Sequence, residues 1–191
     1  VHNLLLIAVG IFILAAVGVG VQYFSGKAEL NAFSAYYLAE KKFDQKKGEI
    51  LAKKGDLISE LRAEIEALKV AGDQHPKSMG ALLSYLKLGD FYTEQGNQRE
   101  AIRYYENALK NQDHRFYEIL IDYNLAYLHE ISGQYEKSIE LYQKIFSSNK
   151  KRILFWAVGY RPNSFWISSA YFGVGRCYEK MGRWEDAKQV Y

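Results

Sequence analysis

The sequence predicts an all-α protein, a single N-terminal transmembrane helix followed by an α-solenoid of helical hairpins. Three observations carry this. Residues 4–24 hold no charged side chain. Beyond them, apolar residues recur at three- and four-residue steps, the period of one helix face. Three later segments then repeat one another, each with a Gly at the same place.

Composition narrows the class. The 191 residues carry a net charge of +3, too little for a nucleic-acid footprint. Only 2 prolines argue against extended or disordered stretches. The single cysteine, Cys177, excludes an internal disulfide framework and a multi-cysteine zinc site. The 49% apolar content reads as two populations, a lipid-facing run and repeat-core positions. The 16 tyrosines fall largely at repeat positions. The chain opens on Val1 and stops at Tyr191 inside its third repeat, so a longer natural chain is expected.

The first element, within 1–26, is the span Leu4–Phe24. Its 21 residues, at about 1.5 Å each, cross a hydrocarbon core of about 30 Å. A cleaved signal peptide would have a shorter apolar region and a small-x-small site. Tyr23-Phe24-Ser25-Gly26-Lys27 is a poor one, so an uncleaved anchor is expected. Ala16 and Gly20 form a small-xxx-small pair suited to contact with another membrane helix. Lys27, Lys41 and Lys42 follow the span and no Lys or Arg precedes it, which taken literally puts the bulk of the chain in the cytoplasm. Basic residues before Val1 would reverse that, so topology stays open.

Residues 27–78 read as a helical connector. Ala32, Tyr36, Ala39 and Phe43 mark one face, Lys46-Lys47-Gly48 an expected bend, and Ile58, Leu61, Ile65 and Leu68 a second stripe. That stripe is under two heptads long, which favours packing on its own domain over a dimer seam. Nine basic and nine acidic residues are interspersed between Lys27 and Asp73, a solvated face and no phosphate-binding stripe. Gly72-Asp73-Gln74-His75-Pro76 ends the helix.

Residues 79–191 hold the repeats, at 82–115, 119–152 and 168–191. Gly96, Gly133 and Gly182 sit where a first helix must reverse and φ > 0 is needed. Leu88-Gly89, Leu125-Ala126 and Val174-Gly175 pair a large residue with a small one, where two helices can approach closely. Ala101, Ser138 and Ala187 precede Tyr105, Tyr142 and Tyr191 by four residues on the second helix. Stacked hairpins bury what each leaves uncovered.

This pattern resembles the tetratricopeptide repeat, a helix–turn–helix unit. Tyr85, Leu88, Gly89, Tyr92, Gly96, Ala101, Tyr105 and Ala108 fit its signature best. The resemblance implies a groove lined by the first helix of each repeat. Its candidate partner-binding positions are Leu86, Asp90, Tyr123, Asn124, Tyr127, Phe172, Arg176 and Glu179, with Leu83, Lys87 and Leu120 beside them. Such a face suits an amphipathic helix or an extended segment. The family's basic carboxylate clamp is not expected, because Leu86 and Asp90 stand where Lys and Asn are needed. Burial against a neighbouring helix, such as the connector, is the competing reading for the apolar positions.

The glycines are 37 and then 49 residues apart, so an insertion of about fifteen residues falls within 147–167. Phe155, Trp156, Tyr160 and Trp166 make it aromatic. Three readings stand: internal packing, a partner-binding hook, or contact with a membrane surface.

No phosphate-cradling loop, nucleophile elbow or zinc spacing appears. His129 and Cys177 read as packed core residues, and the chain is expected to be no enzyme and to need no cofactor or metal. Ser78 to Leu86 also resembles the start of the array in the YfgM-like family of bacterial inner-membrane proteins. That resemblance implies a periplasmic repeat domain, partners among the Sec translocon and periplasmic chaperones, and contact with lipid through residues 4–24. The expected function is a membrane-anchored adaptor for protein partners. The alternative is a structural subunit of an envelope machine such as a motor, pilus or secretion apparatus.

Overall fold

The computed structural model describes residues 2–111, 117–147 and 163–191, and the side chains of these except 2–13 and 15. All the regular structure among them is helical: α1 (His2–Lys53), α2 (Leu57–Glu60), α3 (Arg62–Gln74), α4 (Met79–Glu94), α5 (Gln98–Leu109), α6 (Glu118–Ile131), α7 (Tyr135–Ser147), α8 (Ser164–Lys180) and α9 (Trp184–Val190). Among the described residues no helix is long and apolar enough to cross a membrane. Much of the run 4–24 lies outside the described side chains.

α1 is a single helix of 52 residues. The bend expected at Lys46-Lys47-Gly48 does not occur; the helix runs through it, and both lysines pair with neighbouring helices. Lys46 reaches Glu64 on α3 at 3.0 Å and Lys47 reaches Glu94 on α4. The reversal comes at Lys54, whose φ is +55°. Gly55 N–H then donates to the Ile50 carbonyl at 3.0 Å, closing the end of α1. Asp56 accepts from Ile58 N–H and starts the next helix.

The same closure recurs three times. Gly96, Gly133 and Gly182 have φ of +69°, +75° and +72°. After each, the next N–H donates five residues back: Asn97 to Tyr92, Gln134 to His129, Arg183 to Tyr178, at 2.8–2.9 Å. These turns produce the hairpins α4–α5, α6–α7 and α8–α9. A fourth hairpin, α1 with α3, stacks on α4 by the same logic.

Ala32, Tyr36, Ala39, Phe43 and Ile50 of α1 are buried, as their spacing predicts. Leu61, which precedes α3, and Ile65 and Leu68 of α3 are buried in the same core, while Ile58 stays exposed. α1 and α4 meet through a reciprocal arrangement. The Phe43 and Phe91 rings cross edge to face at 5.2 Å. Lys87 lies over Phe43 and Lys47 over Phe91, each 5.9 Å from the ring centre.

The repeat tyrosines share one role. Tyr105 and Tyr142 are almost fully buried, and each sends its hydroxyl to a carboxylate on the first helix of its hairpin, Asp90 and Glu130. Tyr191, by contrast, is more than half exposed, although its hydroxyl also faces a first-helix carboxylate, Glu179. A buried ring with a satisfied hydroxyl is a stable way to join two helices. The Tyr105 ring lies directly on Gly89, where a Cβ would sit 2.9 Å from a ring carbon.

Candidate partner-binding face

The first helices α4, α6 and α8 carry the positions that tetratricopeptide register assigns to a groove. The structure treats the first hairpin differently from the others. Leu86, expected to be exposed, is 7% exposed and belongs to the core shared by α1, α3, α4 and α5. Leu83 packs against that core, half-buried. Lys87 is bound to α1, 2.8 Å from Asp44 and 3.5 Å from Glu40. The correction has one cause: α1 docks on α4, which local spacing in α4 cannot reveal. Asp90 remains exposed while accepting the Tyr105 hydroxyl.

On α6 and α8 the face is open. Tyr127 is 42% exposed and Phe172 57%. Ile131, one turn beyond Tyr127, is 45% exposed and extends the apolar strip. The four-residue step from Tyr127 to Ile131 is the sequence signal for it. Tyr123 is half-buried, its ring edge-on to Tyr142 at 5.6 Å and to Trp166 at 5.3 Å. Asn124 and Leu120 are half-buried. Tyr123 therefore supports the face more than it presents itself.

The charged residues here are paired. The Glu130 carboxylate accepts Arg176 Nε at 2.7 Å and Nη2 at 2.8 Å, and the Tyr142 hydroxyl at 3.0 Å. This bidentate pair joins α6 to α8. The Glu130 hydrogen bonds hold the Arg176 guanidinium still more firmly protonated. Burial, then the Glu130 charge, pushes the Tyr142 hydroxyl up. Arg176 is thus an internal strut. What the face offers a ligand is aromatic and aliphatic surface at Tyr127, Ile131 and Phe172, with backbone order supplied by the hairpins.

Trp166, the last aromatic of the insertion, is half-buried against Tyr123 and Phe165 in the first turns of α8. Asn163 caps that helix, accepting from Trp166 N–H at 3.2 Å. Phe155, Trp156 and Tyr160 lie outside the described residues. Ala16 is exposed, and a Cβ on Gly20 would meet nothing within 4 Å.

His129 is 2% exposed, with Nδ1 2.8 Å from Gln134 Oε1. Burial, and then Lys137, holds its pKa below the ordinary value. Cys177 is buried 3.4 Å from Ser138 Oγ, and burial pushes its thiol up. Both are core groups. Among the described residues no three His, Cys, Asp or Glu side chains converge as a metal site requires.

Comparison with known families agrees with this geometry. One tetratricopeptide repeat profile matches residues 82–113 and 123–152, and a second matches 169–191. No curated protein matches the chain. Each matched segment overlaps one of the hairpins closed at Gly96, Gly133 and Gly182, so tetratricopeptide repeat profiles recognise all three.

Proposed function

We propose that the chain is a membrane-anchored, non-enzymatic adaptor that holds a helical or extended segment of a protein partner on α6 and α8. The observation that carries this reading is the exposure of Tyr127 and Ile131 on α6 and Phe172 on α8, the helices that tetratricopeptide repeats commonly use for protein partners. The first hairpin's equivalent face is occupied by α1, so binding concentrates on the second and third repeats. Tethering at residues 4–24 would raise the effective concentration of the face near a membrane complex, which lets individual contacts be weak. The uncharged run and its direct helical continuation into the repeats support the anchor. The resemblance of Ser78–Leu86 to the YfgM-like family supports a bacterial inner membrane, a periplasmic repeat domain and partners among translocon or chaperone components.

Site-specific photocrosslinkers at Tyr127 and Phe172, with Lys188 as an exposed off-face control, test the binding reading. Discrete adducts from the two face positions alone are expected, and equal or absent labelling would sink it. A reporter fused after Tyr191 reads the topology separately, and a cytoplasmic signal would end the periplasmic assignment.

A further inference from the structure

α1 carries a second apolar stripe that its own fold leaves unused. Ala16, Val19, Tyr23, Gly26, Leu30, Phe33 and Tyr37 are spaced alternately by three and four residues. That is an a/d spacing over three heptads, the length at which a coiled-coil seam becomes specific, with Gly26 leaving one position without a side chain. The face is distinct from the one that docks on the repeats. The buried residues Ala32, Tyr36, Ala39 and Phe43 sit about 130° around the helix from it at 100° per residue. Val19, Tyr23, Leu30, Phe33 and Tyr37 are 44–68% exposed, and a Cβ on Gly26 would meet nothing within 4 Å.

We propose that this stripe is a parallel, in-register dimer seam between two copies of the chain. Lipid accounts for Ala16, Val19 and Tyr23, which lie within the proposed span, but not for Leu30, Phe33 and Tyr37. Phe33 and Tyr37 lie about 14 and 20 Å along the helix beyond Phe24, outside the hydrocarbon core of the proposed span. A second copy does account for them. Two chains inserted the same way present identical stripes side by side, and this parallel arrangement rests on the single-span reading above. In that register Lys27 faces Gln22 of the second copy and Glu29 faces its Ser34, so no like charges meet along the flanks. The next seam positions are Glu40 and Asp44. Both are tied to Lys87 within each chain, and like charges would face there. The seam therefore stops where α1 joins the array, and the two repeat domains separate. At half exposure each aromatic ring gives about 100 Å² to such a contact. The stripe amounts to about 1,000 Å² for the pair, the level at which specific interfaces begin.

The test uses the full chain in membranes. Because Cys177 is buried, introduced thiols report alone. Mild oxidation should link Leu30→Cys and Phe33→Cys chains into dimers and leave Asn31→Cys, on another exposed face, monomeric. Phe33→Glu should abolish the dimer by light scattering in detergent while the helical circular dichroism and the thermal midpoint stay unchanged. Monomers throughout, equal linking at Asn31→Cys, or linking of Tyr23→Cys chains to Tyr37→Cys chains, the antiparallel signature, would each overturn the proposal. Alkaline extraction reads the anchor independently. A chain that extracts yet links at Leu30→Cys keeps the seam and loses the anchor, and a retained monomer does the reverse.

Discussion

Gly89 and Tyr105 make a close contact between the two helices of the first repeat. The ring is 1% exposed and its hydroxyl is held by Asp90, so it has nowhere to retreat when a Cβ arrives at 2.9 Å. Gly89→Ala is expected to destabilise the fold by about 1–3 kcal/mol, the usual cost of overpacking, read as a lower urea midpoint. His129 gives a pH-dependent counterpart. Its folded pKa is depressed, chiefly by burial, so the folded state binds fewer protons than the unfolded one below about pH 6.5. Its contribution is present above that value and is lost as pH falls. Asp122 works in the opposite sense, because burial raises its carboxyl pKa, against the Lys144 hydrogen bond. The difference between wild type and His129→Gln isolates the histidine. Between pH 7.5 and 5.5 the thermal midpoint of the variant should fall less than that of wild type, and parallel curves would refute the assignment.

Each helix pair closes through one backbone geometry, and this level of organisation is the most legible in the sequence. A left-handed residue after a helix has a compositional signature, so residue type and spacing alone place Gly96, Gly133 and Gly182 at the turns. The hairpin of α1 and α3 is not legible for the same reason, because Lys54 occupies the left-handed position there. Gly55 follows it directly, but Lys-Lys-Gly occurs at both 46–48 and 53–55, and the expected bend falls at the first of these, in the interior of α1. Similarly, nothing within α4 distinguishes Leu86 from an exposed groove residue. Its burial depends on docking with a segment some forty residues earlier, as in the Lys87–Asp44 contact. Two substitutions should therefore move stability in opposite directions at equivalent turns. Lys54→Gly relieves a strained φ at an exposed site and is expected to stabilise by about 0.5–1 kcal/mol, after the entropy cost of glycine. Gly133→Ala introduces that strain and should destabilise by about 1 kcal/mol. Thermal unfolding of the two variants checks both signs.

Across the whole molecule the core divides in two at α6. Ile121, Leu125 and Leu128 of α6 face the larger cluster, built from α1, α3, α4 and α5. Ile119 and Ala126 face the smaller one, built from α7 and α8. A stacked array has stability that is roughly a sum of hairpin and interface terms, so unequal clusters imply unequal local stability. Glu130, Arg176 and Tyr142 reinforce the second cluster. Even so, Arg176 is 41% exposed at its side chain, which limits the gain from that pair. The first cluster also gains α1, which adds the Phe43–Phe91 contact and the Lys47–Glu94 and Lys87–Asp44 bridges to α4. Hydrogen exchange of the intact chain should therefore show slower exchange at α3 and α4 than at α7 and α8, with α6 intermediate. Urea should uncouple the two regions, with α8 losing protection at a lower concentration than α4. A single transition with equal protection on both sides of α6 would show that the interface between α5 and α6 transmits the full stability of the first cluster.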